Sequence, residues 1–232
     1  MIKNLIIFIL ISLSVSIYAE SPISGMFEGR FGWFMPNIDS EAALGDSKPY
    51  EKVFSDSGFQ YGFEYGYNLI YHDLAGTLLF SFGMDYFKKE GSAVDVDGNS
   101  TSDITTLIMV PLKISLVYNI DQFEKLYNFP LIPYLKAGLQ YKLWSITNSI
   151  GNTASVDRDT GSGAKKGYYW ALGVRLLLDF MDPDSALDFD NDLGINNSYI
   201  FAEYLSSDVN NFGGKGLMIG GSGWFFGIAL TF

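Results

Sequence analysis

The 232-residue chain has no cysteine, so disulfide staples, thiol nucleophiles and zinc–thiolate sites are excluded together. Basic charge is scarce as well. Fifteen Lys and Arg face 26 Asp and Glu, a formal net charge of -11, and a nucleic-acid partner calls for the opposite balance. Past the opening residues there is no run that could cross a bilayer as a helix. The longest apolar stretches, LIMVPLKISLVY at 107 to 118 and ALGVRLLLDF at 171 to 180, are interrupted by Pro111, Lys113, Arg175 and Asp179. A chain of this kind that crosses a membrane must do so as a closed barrel.

The first residues, MIKNLIIFILISLSVSIYA, place Lys3 before an apolar core from Leu5 to Leu13, with Ala19 at a cleavage point. This is the layout of a secretory signal peptide over 1 to 19, and the apolar run is shorter than the about 20 residues of a spanning helix. No cysteine follows, so a lipoprotein is excluded. The expected mature domain is 20 to 232.

What is abundant is alternation. The closing GWFFGIALTF sets Trp224, Phe226, Ile228, Leu230 and Phe232 on one face and Phe225, Gly227, Ala229 and Thr231 on the other, the period of a strand. Seven further segments behave alike, at 26 to 34, 58 to 67, 75 to 87, 104 to 118, 131 to 144, 166 to 179 and 198 to 205. The cleanest sets Phe59, Tyr61, Phe63, Tyr65 and Tyr67 against Gln60, Gly62, Glu64 and Gly66. The fold expected is all-β, an eight-stranded antiparallel transmembrane barrel. An even strand number puts both ends on one side. The connections 35 to 57, 88 to 103, 145 to 165 and 206 to 222 then face outward, and 68 to 74, 119 to 130 and 180 to 197 face the periplasm. In MDPDSALDF, Asp182 can cap and Pro183 can start a short periplasmic helix.

A soluble lipocalin-like barrel would show the same alternation with its apolar face inward. Charge separates the two. The less apolar face carries Glu28, Glu64, Asp85, Asp179 and Glu203 with Arg30, Lys113, Lys136, Lys142 and Arg175. Equal numbers of both signs suit a confined polar lumen, where an unpaired ion is costly. Tyrosines and tryptophans such as Trp33, Tyr65, Tyr86 and Trp170 fall towards strand ends, where bilayer interfaces favour them.

The segments GMFEGRFGWFMPNID at 25 to 39, KPY at 48 to 50, YGFEYGY at 61 to 67, TTLIMVPLKISLVYNID at 105 to 121, IPYLKAGLQYKLW at 132 to 144, LGINNSYIFAEY at 193 to 204 and the closing WFFGIALTF resemble a myxobacterial-type family of bacterial outer-membrane β-barrels. The likeness runs across nearly the whole mature length and is poor at 145 to 165. It implies a fold and a membrane but no substrate. The terminal strand is also similar to the aromatic signal that such barrels present to the barrel assembly machinery, with Trp224, Phe226 and Phe232 as its residues. Expected partners are therefore that machinery and outer-membrane lipid and lipopolysaccharide.

Chemistry-bearing motifs are sparse. The only histidine, His72 beside Asp73, falls in an expected periplasmic turn, whereas outer-membrane lipid hydrolases and acyltransferases act on the outer leaflet. DFDNDLG at 188 to 194 spaces Asp188, Asp190 and Asp192 as an EF-hand begins. Its glycine comes one place late and Tyr199 stands where the bidentate Glu belongs. DVDGNSTSD at 95 to 103 is equally incomplete, and the GSG and GGSG stretches precede no helix that could cradle a phosphate. No catalytic, metal or cofactor residue is assigned. The expected role is structural or surface-interacting with a plugged lumen. A narrow channel for ions or small solutes is the first alternative, and an outer-leaflet lipid-modifying enzyme the second.

Overall fold

A computed structural model describes residues 23–41, 44–72, 76–95, 99–127, 129–153, 155–156, 159–214 and 217–232; the expected signal peptide and Asp73 lie outside them. Eight antiparallel strands form one closed ring: β1 (Gly25–Pro36), β2 (Gly58–His72), β3 (Gly76–Val94), β4 (Ser100–Asn119), β5 (Leu131–Thr147), β6 (Ser162–Leu177), β7 (Asn197–Asp208) and β8 (Gly221–Thr231). Each pairs with its sequence neighbour, and the ring closes where β1 meets β8, from Met26 opposite Thr231 to Pro36 opposite Gly221. Closure removes the exposed edges that lipid would not tolerate.

Alternation becomes inside and outside. On β1, Glu28 and Arg30 are buried, whereas Phe31 and Trp33 are 46% and 53% exposed. The same inversion holds round the ring. Phe82, Leu116, Leu172 and Ile228 face outward, and Lys113, Lys136, Arg175 and Glu203 are buried. A water-soluble protein does not present such a continuous apolar surface while burying charges. The wall is therefore built for a bilayer, and the lipocalin arrangement is excluded.

Strand lengths differ in a telling way. β1 and β8 have 12 and 11 residues, near the about 9–11 that a tilted strand needs to cross, but β3 and β4 have 19 and 20. The stretch 88 to 103, expected as a loop, is thus mostly strand, because KKEGSAV keeps pairing with Ser100 to Ile108 beyond the apolar band. β2 likewise continues through a bulge between Asn68 and Ile70 to His72, so His72 belongs to a strand and not to a turn.

Among the described residues three short α-helices occupy connections. On the periplasmic rim, α2 (Gln122–Tyr127) follows β4 and α3 (Pro183–Leu193) follows β6. α3 begins as expected, with Asp182 accepting from the Ser185 N–H and Pro183 in the first turn, and ends on Gly194 in the left-handed region. The Ser185 hydroxyl, donating to Asp182 at 2.7 Å, and then that N–H hold the Asp182 carboxyl below the usual range. Because Asp188, Asp190 and Asp192 lie on this helix, successive members point about 200° apart. They do not converge as the ligands of a calcium loop would, and among the described residues no three His, Cys, Asp or Glu side chains cluster as metal ligands.

On the outer rim, α1 (Pro49–Phe54) sits in the connection between β1 and β2. The sequence leads one to expect only an outward-facing connection here. Instead Ile38, Tyr50 and Phe54 pack into the barrel mouth against Phe34, Phe87, Leu107 and Met109. Tyr50 and Phe54 sit four apart, so both project from one side of a single turn. Asp39 fixes the start of α1, its two carboxylate oxygens accepting from the Tyr50 and Glu51 N–H groups at 2.7 and 2.9 Å. Lys89 on the β3 extension pairs with Asp56 just after the helix, and burial pushes the Tyr50 phenol upward.

Candidate functional site

Eight strands leave an interior just wide enough for side chains to fill, and here charged ones fill its middle. Arg30 is the hub. Its guanidinium forks onto Asp85, Nε to Oδ1 at 3.0 Å and Nη2 to Oδ2 at 2.6 Å, and its Nη1 donates to Glu203 Oε1 at 2.5 Å. Lys113 donates to both Asp85 oxygens at 2.9 and 2.8 Å. Lys136 reaches three carboxylates, Glu28 at 2.5 Å, Glu64 at 3.2 Å and Glu203 at 3.4 Å. Arg175 pairs with Glu28 and donates to Asn119 Oδ1.

Neutral groups complete the cluster. Gln60 donates to Asp85 at 2.8 Å and the Tyr134 hydroxyl to Glu203 Oε2 at 2.9 Å. The Arg175 guanidinium lies 3.8 Å from the Tyr134 ring centroid, within cation–π range. Two glycines clear the space. A Cβ at Gly62 would collide with Asp85, and one at Gly173 with the Tyr134 ring. Four carboxylates and four cations are thereby bridged into one neutral network. In a low-dielectric interior such a cluster holds only if nearly every member is paired.

Two of the ten expected network residues stand apart. Asp179 lies beyond the end of β6, half-buried, and accepts from the N–H and hydroxyl of Ser198 at 3.1 and 2.8 Å. The strand ends before it, so its parity no longer points to the lumen. Lys142 does point inward and is fully buried, but its Nζ donates to the Ile219 carbonyl at 2.6 Å and sits 4.4 Å from the Phe34 ring centroid. Among the described residues no carboxylate bridges to it. It sits among the apolar side chains of the outer mouth instead of in the bridged cluster.

Above and below the network lie two apolar layers. The outer one joins Phe34, Phe87, Leu107, Met109, Leu205 and Phe225 to the residues of the α1 connection. The inner one joins Met26, Leu79, Val117, Ile132, Tyr199 and Phe201. Between inner layer and network there is a void of about 10 Å³ beside Glu28, Glu64 and Arg175, no more than one water's worth. At the periplasmic mouth a cavity of about 220 Å³ opens, lined by Asn68, Thr77, Asn119 and Asn197 and by Met26, Ile132 and Tyr199 of the inner layer, with Arg175 at its floor.

Trp224 and Phe226 face lipid on β8, and the Trp224 ring lies 5.4 Å from that of Tyr204. Phe232 follows β8 and finishes the seam. Its carbonyl accepts from the Ser24 and Gly25 N–H groups at 2.6 and 2.9 Å, its own N–H donates to Gly25, and its ring rests on Tyr65. His72 is placed in the backbone of β2, on the periplasmic rim.

Comparison with solved structures agrees with this architecture. The chain is similar to the outer membrane protein OprG from Pseudomonas aeruginosa, at 13% identity over 94% of this chain and 99% of that one, with a TM-score of 0.52. Neisserial surface protein A is a second likeness, at 14% identity, 91% and 98% coverage and a TM-score of 0.47. A third is the Ail protein of Yersinia pestis, at 12% identity, 90% and 97% coverage and a TM-score of 0.39. No protein-family model matches the chain, and no curated protein sequence does either. At such identities the likeness concerns fold. The chain has the fold of an eight-stranded outer-membrane β-barrel.

Proposed function

We propose that this outer-membrane barrel is structural or surface-interacting, with a lumen that is plugged and not conducting. The observation that carries the reading is the neutral eight-residue network held between two apolar layers. An ion would have to displace a paired charge and then cross the outer layer, each with a desolvation cost. The outward-facing β3–β4 hairpin and the α1 connection supply the surface for contacts outside. The refolded barrel in a planar bilayer is expected to pass no steady current; large, stable channel openings would sink the plug.

A narrow channel is the second reading, and the 220 Å³ vestibule is the observation in its favour, since it opens the periplasmic side as far as Arg175. An outer-leaflet enzyme has less support, because the single histidine is carried on the opposite rim. The partners proposed for the lipid-facing wall are outer-membrane lipid and lipopolysaccharide. Trp224, Phe226 and Phe232 at the β1–β8 seam are proposed to be read by the barrel assembly machinery, and residues 1 to 19 to direct secretion. Phe232→Ser is expected to lower assembled barrel while leaving secreted protein intact. The myxobacterial-type resemblance rests on the segments quoted above, several of which form β1, β4, β5 and the seam.

A further inference from the structure

The lipid-facing wall is not uniform. An arc of aromatic contacts crosses most of it, with Trp170–Tyr204, Tyr204–Trp224, Trp33–Phe59, Phe59–Tyr61 and Tyr61–Tyr86 ring centroids 5.4 to 6.2 Å apart, and with Trp33 opposite Trp224 across the seam. The arc covers β6, β7, β8, β1, β2 and β3, and β4 and β5 lie beyond its two ends. There a groove of about 460 Å³ opens on the outer surface between Leu112, Ile114, Leu139 and Tyr141, with Lys166 and Phe212 at its end. That volume is in the about 300–1,000 Å³ range of small-molecule sites.

The end of the groove is built and not incidental. Asn211 and Phe212 both hold left-handed backbone, each at φ 58°, a conformation that non-glycine residues adopt only when their surroundings impose it. What imposes it is Lys166. The Asn211 N–H donates to the Lys166 carbonyl at 2.8 Å, and the Lys166 N–H donates to Asn211 Oδ1 at 3.1 Å. This clamp brings the Phe212 ring to 6.0 Å from the Lys166 ammonium. Lys166 is exposed, and no carboxylate among the described residues bridges to it, although acids outnumber bases in the chain by 26 to 15. Lysine at the end of an apolar surface reaches for the headgroup level and attracts anionic lipid.

We propose that this groove is a binding site for an outer-leaflet lipid bearing a phosphate, its acyl chain along Leu112, Ile114, Leu139 and Tyr141 and its phosphate on the Lys166 ammonium. The site rests on the membrane reading above and adds a defined headgroup contact to it. Phe212 shields the ion pair from water, which strengthens a charge-assisted hydrogen bond.

The test uses the full barrel folded in non-ionic detergent and incubated with diphosphorylated lipid A, with retained lipid counted by native mass spectrometry. Wild type is expected to hold the lipid about tenfold more tightly than Lys166→Met, the scale of one charged hydrogen bond, with Lys166→Arg restoring most of it. The same lipid without phosphates should bind wild type as weakly as Lys166→Met binds lipid A, and millimolar inorganic phosphate should not displace it. Heat-modifiable gel migration checks that each variant has folded, since the clamp uses the backbone of Lys166 and survives substitution. Equal retention by wild type and Lys166→Met, undiminished retention of the dephosphorylated lipid, or displacement by free phosphate would each overturn the site. A protein that fails to fold in detergent or bilayers at all would instead overturn the membrane reading.

Discussion

At its outer end the barrel is shut by a loop, α1 and its connection pressing Ile38, Tyr50 and Phe54 onto the wall; at its periplasmic end it lies open as a vestibule with Arg175 at the floor. The two ends share one tube and one charge network. The outer closure is made of residues distant in the chain and held by a few contacts, among them Asp39 to the α1 N-terminus and Lys89 to Asp56. The middle closure is part of the wall itself. A loop can leave its seat without unfolding the barrel, whereas the network cannot open without stranding buried charges. The molecule is therefore a cup that faces the periplasm, with a firm floor and a lighter lid.

The comparison can be broken from the floor first. Arg30→Met leaves Asp85 and Glu203 without their shared partner, and losing one side of a buried pair typically costs about 3–5 kcal/mol. We expect the largest fall in unfolding temperature from this variant, read by heat-modifiable migration, with transient channel events if water enters. Tyr50→Ala acts on the lid. Truncating a buried aromatic costs about 3–5 kcal/mol in a full core, but here the loss is local. Hydrogen exchange should rise in residues 44 to 57 while the β1–β8 seam stays protected. Asp39→Ala removes only the anchor of α1 and should cost about 1 kcal/mol, as the loss of a helix cap does, with a smaller rise in the same exchange. The smallest effect is expected from pH at α3. The Asp182 carboxyl is held low by Ser185, so its contribution is present above the ordinary carboxyl pKa and fades as pH falls through the lowered one. Fraying of α3 should then appear only in acid, with the barrel unchanged.

Much of the wall was legible because alternation is a local signal. Glu64 between Phe63 and Tyr65 already shows which face is wet, and the other seven bridged charges share that face with it. The two failures among the ten are instructive. Asp179 sits past the point where β6 stops, and strand ends depend on cross-strand pairing, which a single strand's pattern does not encode. Lys142 has the right parity but the wrong height, because strand tilt and shear decide which inward residues share a level. The lid was hidden for a related reason. Tyr50 and Phe54 are four apart, a helical signal too short to stand out in a polar loop, and their partners Phe34, Phe87, Leu107 and Met109 come from three strands. Those partners left a trace, since large apolar residues at inward positions mark where the polar face gives way to the outer layer.

The central claim is that the lumen is open to the periplasm and sealed above it, and a chain without cysteine allows a direct test. Single substitutions Asn119→Cys in the vestibule and Met109→Cys and Leu205→Cys in the outer layer would be exposed to a membrane-impermeant thiol reagent from each side of oriented vesicles. Asn119→Cys is predicted to react from the periplasmic side only, and the other two from neither side. Rapid labelling of Leu205→Cys from the outside, or of Asn119→Cys from both sides, would contradict a one-ended cup and show a water path through the network.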